Sequence, residues 1–358
     1  MKRRDFMRLA AATPLLAGAP ARAAATTATP AQAAGWRRFE LTYDIDLSAQ
    51  PGAGRIWLPL PADAGEYQTV QSISWANAPA GAALNWDPVY QATMFSAELP
   101  AAASARRFSV SAVVATRDRN RGAATPLRPL TADVAHYLAP TPHMPIDGIV
   151  ATTSAKIVKG INTPDARARA IYDWVVDNSF RNPTTRGCGM GDIKFMLESG
   201  DLGGKCADIN SLFVGLARAA GLPAREMYGV RVAASKQFKS LGKADDISKA
   251  HHCRAEYFSP RYGWVGVDPA DVRKAVLEEA LPLTDPRIVA LRERLFGYWE
   301  MNWVGFNTAR DFELVPAARE PLPYLMYPFA EFAAERLDGR EPDHFNFKIS
   351  SRELPAGS

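Results

Sequence analysis

The sequence predicts an α+β protein: a helix packed on an antiparallel sheet, preceded by a β-sandwich. Three observations carry that prediction. Residues 36–120 alternate apolar and polar side chains without a helical period. Two segments, at 163–178 and 206–220, show helical spacing with clear start or stop signals. Short β-rich runs then follow the second helix at once.

Taken in order, the chain opens with "MKRRDFMRLAAATPLLAGAPARAAA", which reads as an export signal. Arg3 and Arg4 ahead of Phe6 and Met7 fit a twin-arginine motif, and the apolar run Leu9 to Pro20 is too short to span a bilayer. Ala21-Arg22-Ala23 has the small-x-small pattern of a cleavage site, so residues 1–23 are expected to be removed on export to the periplasm. Residues 24–35 form a low-complexity spacer. In the 36–120 sandwich, "RRFELTYDIDL" places Phe39, Leu41, Tyr43 and Ile45 on one face, and "GRIWLPLP" and "RRFSVSAVVAT" are further strands.

Residues 121–150 are proline-rich and read as a linker, and a core is expected over 151–280. Its first clear helix, "NTPDARARAIYDWVVDN", has Thr163 as N-cap, Pro164 at the first helical position and Ile171, Trp174 and Val175 as the buried stripe. The next is "CADINSLFVGLARAAGLPAR", where Ile209, Leu212, Phe213 and Leu216 share a face and Gly221 is the stop. Strands "REMYGVRVA", "HCRAEYFS" and "YGWVGVDP" follow. Residues 281–358 read as a β-rich C-terminal extension.

The chain has 42 basic and 38 acidic residues, but five of the basic ones and one acid lie in the first 23. The exported chain is therefore close to neutral, which removes the electrostatic case for nucleic acid. No integral membrane segment is expected after cleavage. About 335 residues remain, and with 47% apolar composition over the whole chain they can bury a large core. Three cysteines, Cys188, Cys206 and Cys253, are too few for a disulfide framework, although a Cys188–Cys253 bridge is compatible with an oxidising compartment.

Cys206 is the candidate nucleophile. It follows Gly203, Gly204 and Lys205 at a helix start, where unpaired N–H groups and the helix dipole favour thiolate over thiol. A thiolate nucleophile also needs a base and a group to orient it. Strand alternation over "HHCRAEYF" puts His252, Arg254, Glu256 and Phe258 on one face, and His251, Cys253, Ala255 and Tyr257 on the other. The turn "SPRYG" returns the chain as "WVGVDP", bringing Asp268 toward the strand that bears the histidines.

Together, "GGKCADINSLFVGLARAAGLPAR", "HCRAE" and "YGWVGVDPAD" resemble the transglutaminase-like superfamily, whose core is papain-like. The upstream "ARAIYDWVVDN" helix fits the same core, and the resemblance covers about residues 135–275. It implies Cys206 as nucleophile, His252 as general base and Asp268 as orienting acid. The family's histidine lies four residues before a glutamate, here Glu256, which selects His252 over His251. Arg254 stands where tryptophan is frequent, Lys205 precedes the cysteine, and the second oxyanion donor is unassigned because position 200 is glycine. The implied activity is cysteine-dependent acyl transfer on a peptide or protein amide in the cell envelope, with hydrolysis favoured over transamidation. The alternative is a non-catalytic module that keeps the fold.

Other site types fit less well. Adjacent strand residues diverge, so His251, His252 and Cys253 do not converge on zinc, and no C-x-x-C or H-E-x-x-H occurs. The acids of "KADDISKA" are too few for a calcium cage. No cofactor is implied. Tyr298, Trp299, Trp303 and Phe306 read as core or cleft wall rather than a carbohydrate platform.

Overall fold

Alternation along Arg37–Asp46 buries Phe39, Leu41, Tyr43 and Ile45 and turns the intervening residues outward, so this strand packs one face on a core. The computed structural model describes residues 35–102, 106–333, 335–340 and 345–355. The expected export signal, and the spacer up to residue 34, lie outside the described residues. In the first sheet the order is Asp245–Asp246, Phe347–Leu354, Arg37–Asp46, Arg107–Thr116 and Gln68–Ala76. The facing sheet runs Glu335–Asp338, Phe329–Phe332, Gly54–Pro59, Thr93–Leu99 and Ala83–Trp86. Inward side chains of both, including Leu41, Ile56, Phe95, Val110, Phe332 and Ile349, make one core. Late strands thus complete the sandwich: Leu41 lies opposite Ala112 on one side and Ser351 on the other.

The second half is a mixed α/β layer. Its sheet runs Gly263–Val267, Arg254–Ser259, Ala224–Arg231 and Trp303–Asn307, all antiparallel. Against it packs the helix Cys206–Ala219, whose Ile209, Leu212, Phe213 and Leu216 are fully buried. Removing four such side chains from water contributes roughly 1.5–3 kcal/mol each, which anchors this helix firmly. It ends where Gly221 takes the left-handed conformation with φ +79°. In the helix Pro164–Asn178, the Thr163 hydroxyl accepts the Ala166 N–H at 3.3 Å. Its buried stripe is Ala168, Ile171, Tyr172, Val175 and Val176, with the expected Trp174 only half-buried.

Both halves share the strand Trp303–Asn307, which pairs with Ala224–Arg231 while Val304 and Phe306 enter the sandwich core. Tyr298, Trp299, Trp303 and Phe306 are all buried. A buried ion pair adds a second tie. Glu256 meets Arg225 Nε at 2.5 Å and Arg119 Nη1 at 2.6 Å, and Arg119 stands just beyond the sandwich strand that ends at Thr116. The proline-rich 121–150 segment runs against the same sheet. Thr125 and Arg128 N–H groups donate to Arg261 and Pro260 carbonyls, and the Tyr137 ring packs edge-on against Trp264.

Candidate active site

Cys206 is the first residue of its helix, held there by the carboxylate of Asp208. That side chain accepts N–H groups from Lys205 at 3.0 Å, Met190 at 3.0 Å and Gly191 at 2.9 Å, stitching the 188–191 loop to the helix start. The fit requires glycine. A Cβ on Gly189, at φ +94°, would lie 1.9 Å from Asp208 Oδ2, and one on Gly204 would lie 2.5 Å from its Cβ. Arg310 fixes the loop from the other side, donating to the carbonyls of Met190 and Gly191. In consequence the Cys188 carbonyl takes the Ala207 N–H at 2.9 Å, and the Cys188 thiol comes beside Cys206.

His252 and Asp268 meet on the opposite side. The His252 Nε2–H donates to Asp268 Oδ2 at 2.8 Å, which leaves Nδ1 to face the thiol. The residue's backbone is pinned as well: its N–H donates to the Gly229 carbonyl, and its carbonyl accepts Trp303 Nε1–H at 2.8 Å. Asp268 also caps the helix Pro269–Glu278, its Oδ1 accepting the Asp271 N–H at 3.1 Å. Asp271 Oδ1 is thereby brought to 3.4 Å from His252 Nε2 and 2.5 Å from Arg231 Nη2. Arg254 Nε lies 3.5 Å from Asp268 Oδ2, with its guanidinium over the Trp303 and Trp299 rings. Two carboxylates therefore face one imidazole, each flanked by an arginine.

Charge in this group follows from burial and neighbours. Burial and Arg231 press the His252 pKa down, but Asp271 and Asp268 outweigh them and hold it above its ordinary value. Burial and the Asp271 charge push the Asp268 carboxyl up, against the pull of His252 and Arg254. Burial opposes ionisation of Asp271 too, yet Arg231, His252 and Arg254 keep it far below the usual carboxylate range, so it is the firmly charged partner. Burial would raise the Cys206 thiol. Hydrogen bonds from Cys188, Cys253 and His252, with the imidazole's charge, bring it well below the ordinary value instead. The flanking thiols shift the other way. Cys188 is raised by its bond to Cys206 and by burial, and Cys253 by burial and then that bond.

Strand alternation does not partition the "HHCRAE" stretch as expected. The regular strand begins only at Arg254, so His252 and Cys253 precede it and both reach Cys206. All three cysteines are buried free thiols, with no Cys188–Cys253 bridge. Cys188 Sγ also lies 3.3 Å from the His251 carbonyl, an alternative acceptor for its one proton, and the Asn210 amide donates to the Cys253 carbonyl at 2.8 Å. His251 turns away from Asp268 and packs its ring 4.2 Å from that of Tyr327. Tyr324, stacked on Tyr228, donates its hydroxyl to the Gly189 carbonyl. Tyr324 and Tyr327 come from the late part of the chain, and Cys206 itself is only 2% exposed.

Asp271, Arg231, Asn210 and Tyr327 went unrecognised in the sequence. Only Asp271 carries a local signal there: "DPAD" sets its carboxylate one helical turn after the cap. Ligand atoms of His252, Asp268 and Asp271 lie within 4.8 Å of one another, the spacing a metal ion would need. Arg231 and Arg254 already supply positive charge to both carboxylates, which makes the donor set a poor fit for a cation.

Residues 151–269 match the profile of the family described as the transglutaminase-like superfamily. An uncharacterized protein of Haemophilus influenzae is 38% identical over 336 residues, spanning 88% of this chain and 91% of its own length. A candidate cysteine protease from Cytophaga hutchinsonii, known from its crystal structure, superposes with a TM-score of 0.55 at 16% identity. That match covers 91% of this chain and 93% of the other.

Proposed function

The chain belongs to the transglutaminase-like superfamily, and on that premise we propose that it is an exported, cysteine-dependent acyl-transfer enzyme of the periplasm. The observation that carries this reading is the convergence of a depressed Cys206 thiol with His252, whose far nitrogen is held by Asp268. Cys206 Sγ attacks an amide carbonyl carbon, forming a C–S bond. His252, holding the thiol proton, passes it to the leaving amine as the C–N bond breaks. The Cys206 N–H, at the helix start, donates to the oxyanion. Water then adds to the thioester, His252 takes its proton, and the C–S bond breaks to release acid and thiol. Hydrolysis is favoured over capture by an amine, and the substrates are peptide or protein amides of the cell envelope.

The twin-arginine motif read at Arg3 and Arg4 is what supports export of the folded enzyme. No helix among the described residues is long and apolar enough to cross a membrane. Cys206 is only 2% exposed, so substrate entry requires local movement around the thiol. The test is comparative peptidomics of envelope extracts incubated with the wild type or Cys206→Ala. New peptide termini, or ammonia release from side-chain amides, are expected with the wild type alone. Identical product sets from both proteins would refute the reading.

A further inference from the structure

A cavity of about 440 Å³ opens next to this group; Cys206, His252 and Asp268 do not line it themselves, but its walls include Arg181, His251 and the helix that Asp268 caps. Arg181 lies opposite Gly204, two residues before Cys206. His251 adjoins His252 in the chain. Arg231 binds Asp271, and Lys274 and Glu278 ride on the helix that Asp268 caps. Six lining residues are cationic (Arg181, Arg231, Lys239, Lys243, Lys249 and Lys274) against the two acids Glu278 and Glu279. In a chain whose basic and acidic residues nearly balance, that is a local concentration of positive charge. Arg231 is committed to Asp271, while Arg181 and Lys274 share Glu278. Among the described residues no ion pair occupies Lys239, Lys243 or Lys249, and all three are exposed at the rim. Deeper in, His251 is 8% exposed; the Ser248 backbone is near its ring, but neither ring nitrogen makes a well-formed hydrogen bond.

Unengaged ammonium groups around a cavity that reaches a buried imidazole form a receptor for anions. The free cations are lysines, point charges suited to scattered carboxylates. The arginines, whose fork suits phosphate, are already engaged. We propose that this cavity is the acyl-donor subsite and binds side-chain carboxylates of an acidic peptide, so that the amides presented to Cys206 are those flanked by negative charge. This rests on the acyl-transfer reading of Cys206.

The experiment uses the full chain carrying Cys206→Ala, with fluorescein-labelled hexaglutamate and hexaglutamine as probes in fluorescence anisotropy. Hexaglutamate is expected to bind about tenfold more tightly at low salt, with the preference shrinking as salt screens the charges. Lys239→Gln/Lys243→Gln/Lys249→Gln should lose about tenfold of that affinity. Lys156→Gln/Lys159→Gln/Lys194→Gln, with the same change in net charge at exposed sites elsewhere, should stay within about twofold. In proton NMR, bound hexaglutamate should move the His251 imidazole resonance, assigned with His251→Gln, and leave that of His136 in place. Equal binding of the two peptides, equal losses in the two triple variants, or an unmoved His251 resonance would overturn the proposal. So would tripolyphosphate binding more tightly than hexaglutamate. Because binding is read on a protein without the thiol, failure here leaves the chemistry of Cys206 untouched. Failure of that chemistry, read as absent products with the wild type, leaves the binding result standing.

Discussion

Replacing Asp268 by asparagine removes a negative charge from beside His252 while keeping the side chain's shape. The amide oxygen can still cap the following helix, where Oδ1 now accepts the Asp271 N–H. The His252–Asp268 contact is 2.8 Å, and unit charges at that spacing interact by about 6 kcal/mol at an effective dielectric near 20. Asp271, at 3.4 Å, supplies about 5 kcal/mol on the same scale and remains in the variant. Arg254 already withdraws part of the Asp268 interaction, and neutralising Asp268 relieves burial and its repulsion from Asp271. The net loss to the imidazolium is therefore put at about 2–3 kcal/mol, a factor of roughly 30–150. The assay is the rate of Cys206 alkylation by iodoacetamide, followed by intact mass from pH 5 to 9. At the acid end Asp268→Asn should react slower by that factor, with its pH limb displaced upward. A rate within about twofold of the wild type and an unmoved limb would refute the charge argument.

Three further outcomes follow from the same structure. Glu256→Gln leaves Arg119 and Arg225 buried beside a neutral group and should cost about 3–5 kcal/mol, read as a lowered denaturation midpoint. Burial opposes the Glu256 charge, but Arg225 and Arg119 hold its folded pKa below 4.5. Its stabilisation is thus present above the unfolded value and lost as pH falls through the lower one. His251 is held neutral by burial, with its pKa lowered from 6.5 to about 3, so the unfolded chain binds the extra proton between those values. The His251 contribution should be full above 6.5 and decline toward about 3, so that by calorimetry the wild type loses stability more steeply over that range than His251→Gln. Gly189→Ala forces a Cβ against the Asp208 carboxylate at φ +94° and should cost at least about 1–3 kcal/mol while slowing alkylation of Cys206.

What the sequence disclosed was what local spacing encodes. The stripe Ile209, Leu212, Phe213 and Leu216 marks its helix, Gly221 its end, and the motif order brings Cys206, His252 and Asp268 into one place. Period-two reasoning failed at His252 and Cys253 because it was applied before the strand begins at Arg254, where the backbone is not yet pleated. No local pattern announces that Phe347–Leu354 pairs with Arg37–Asp46, since that register joins the two ends of the chain. Arg231 and Cys188 are equally silent alone. Arg231 acquires meaning only through Asp271, forty residues on, and Cys188 through the Asp208 and Arg310 contacts that fold its loop against the helix start.

The central claim is that His252, not His251, makes Cys206 a thiolate. The most direct measurement is the pH dependence of Cys206 alkylation in the wild type, His252→Ala and His251→Ala, with Cys188 and Cys253 replaced by serine in a parallel set to isolate the nucleophile. The wild type is expected to show an apparent thiol pKa below that of free cysteine, with His251→Ala close to it and His252→Ala raised to the free value or beyond. A wild-type thiol that titrates like free cysteine, or a loss of reactivity in His251→Ala alone, would contradict the account.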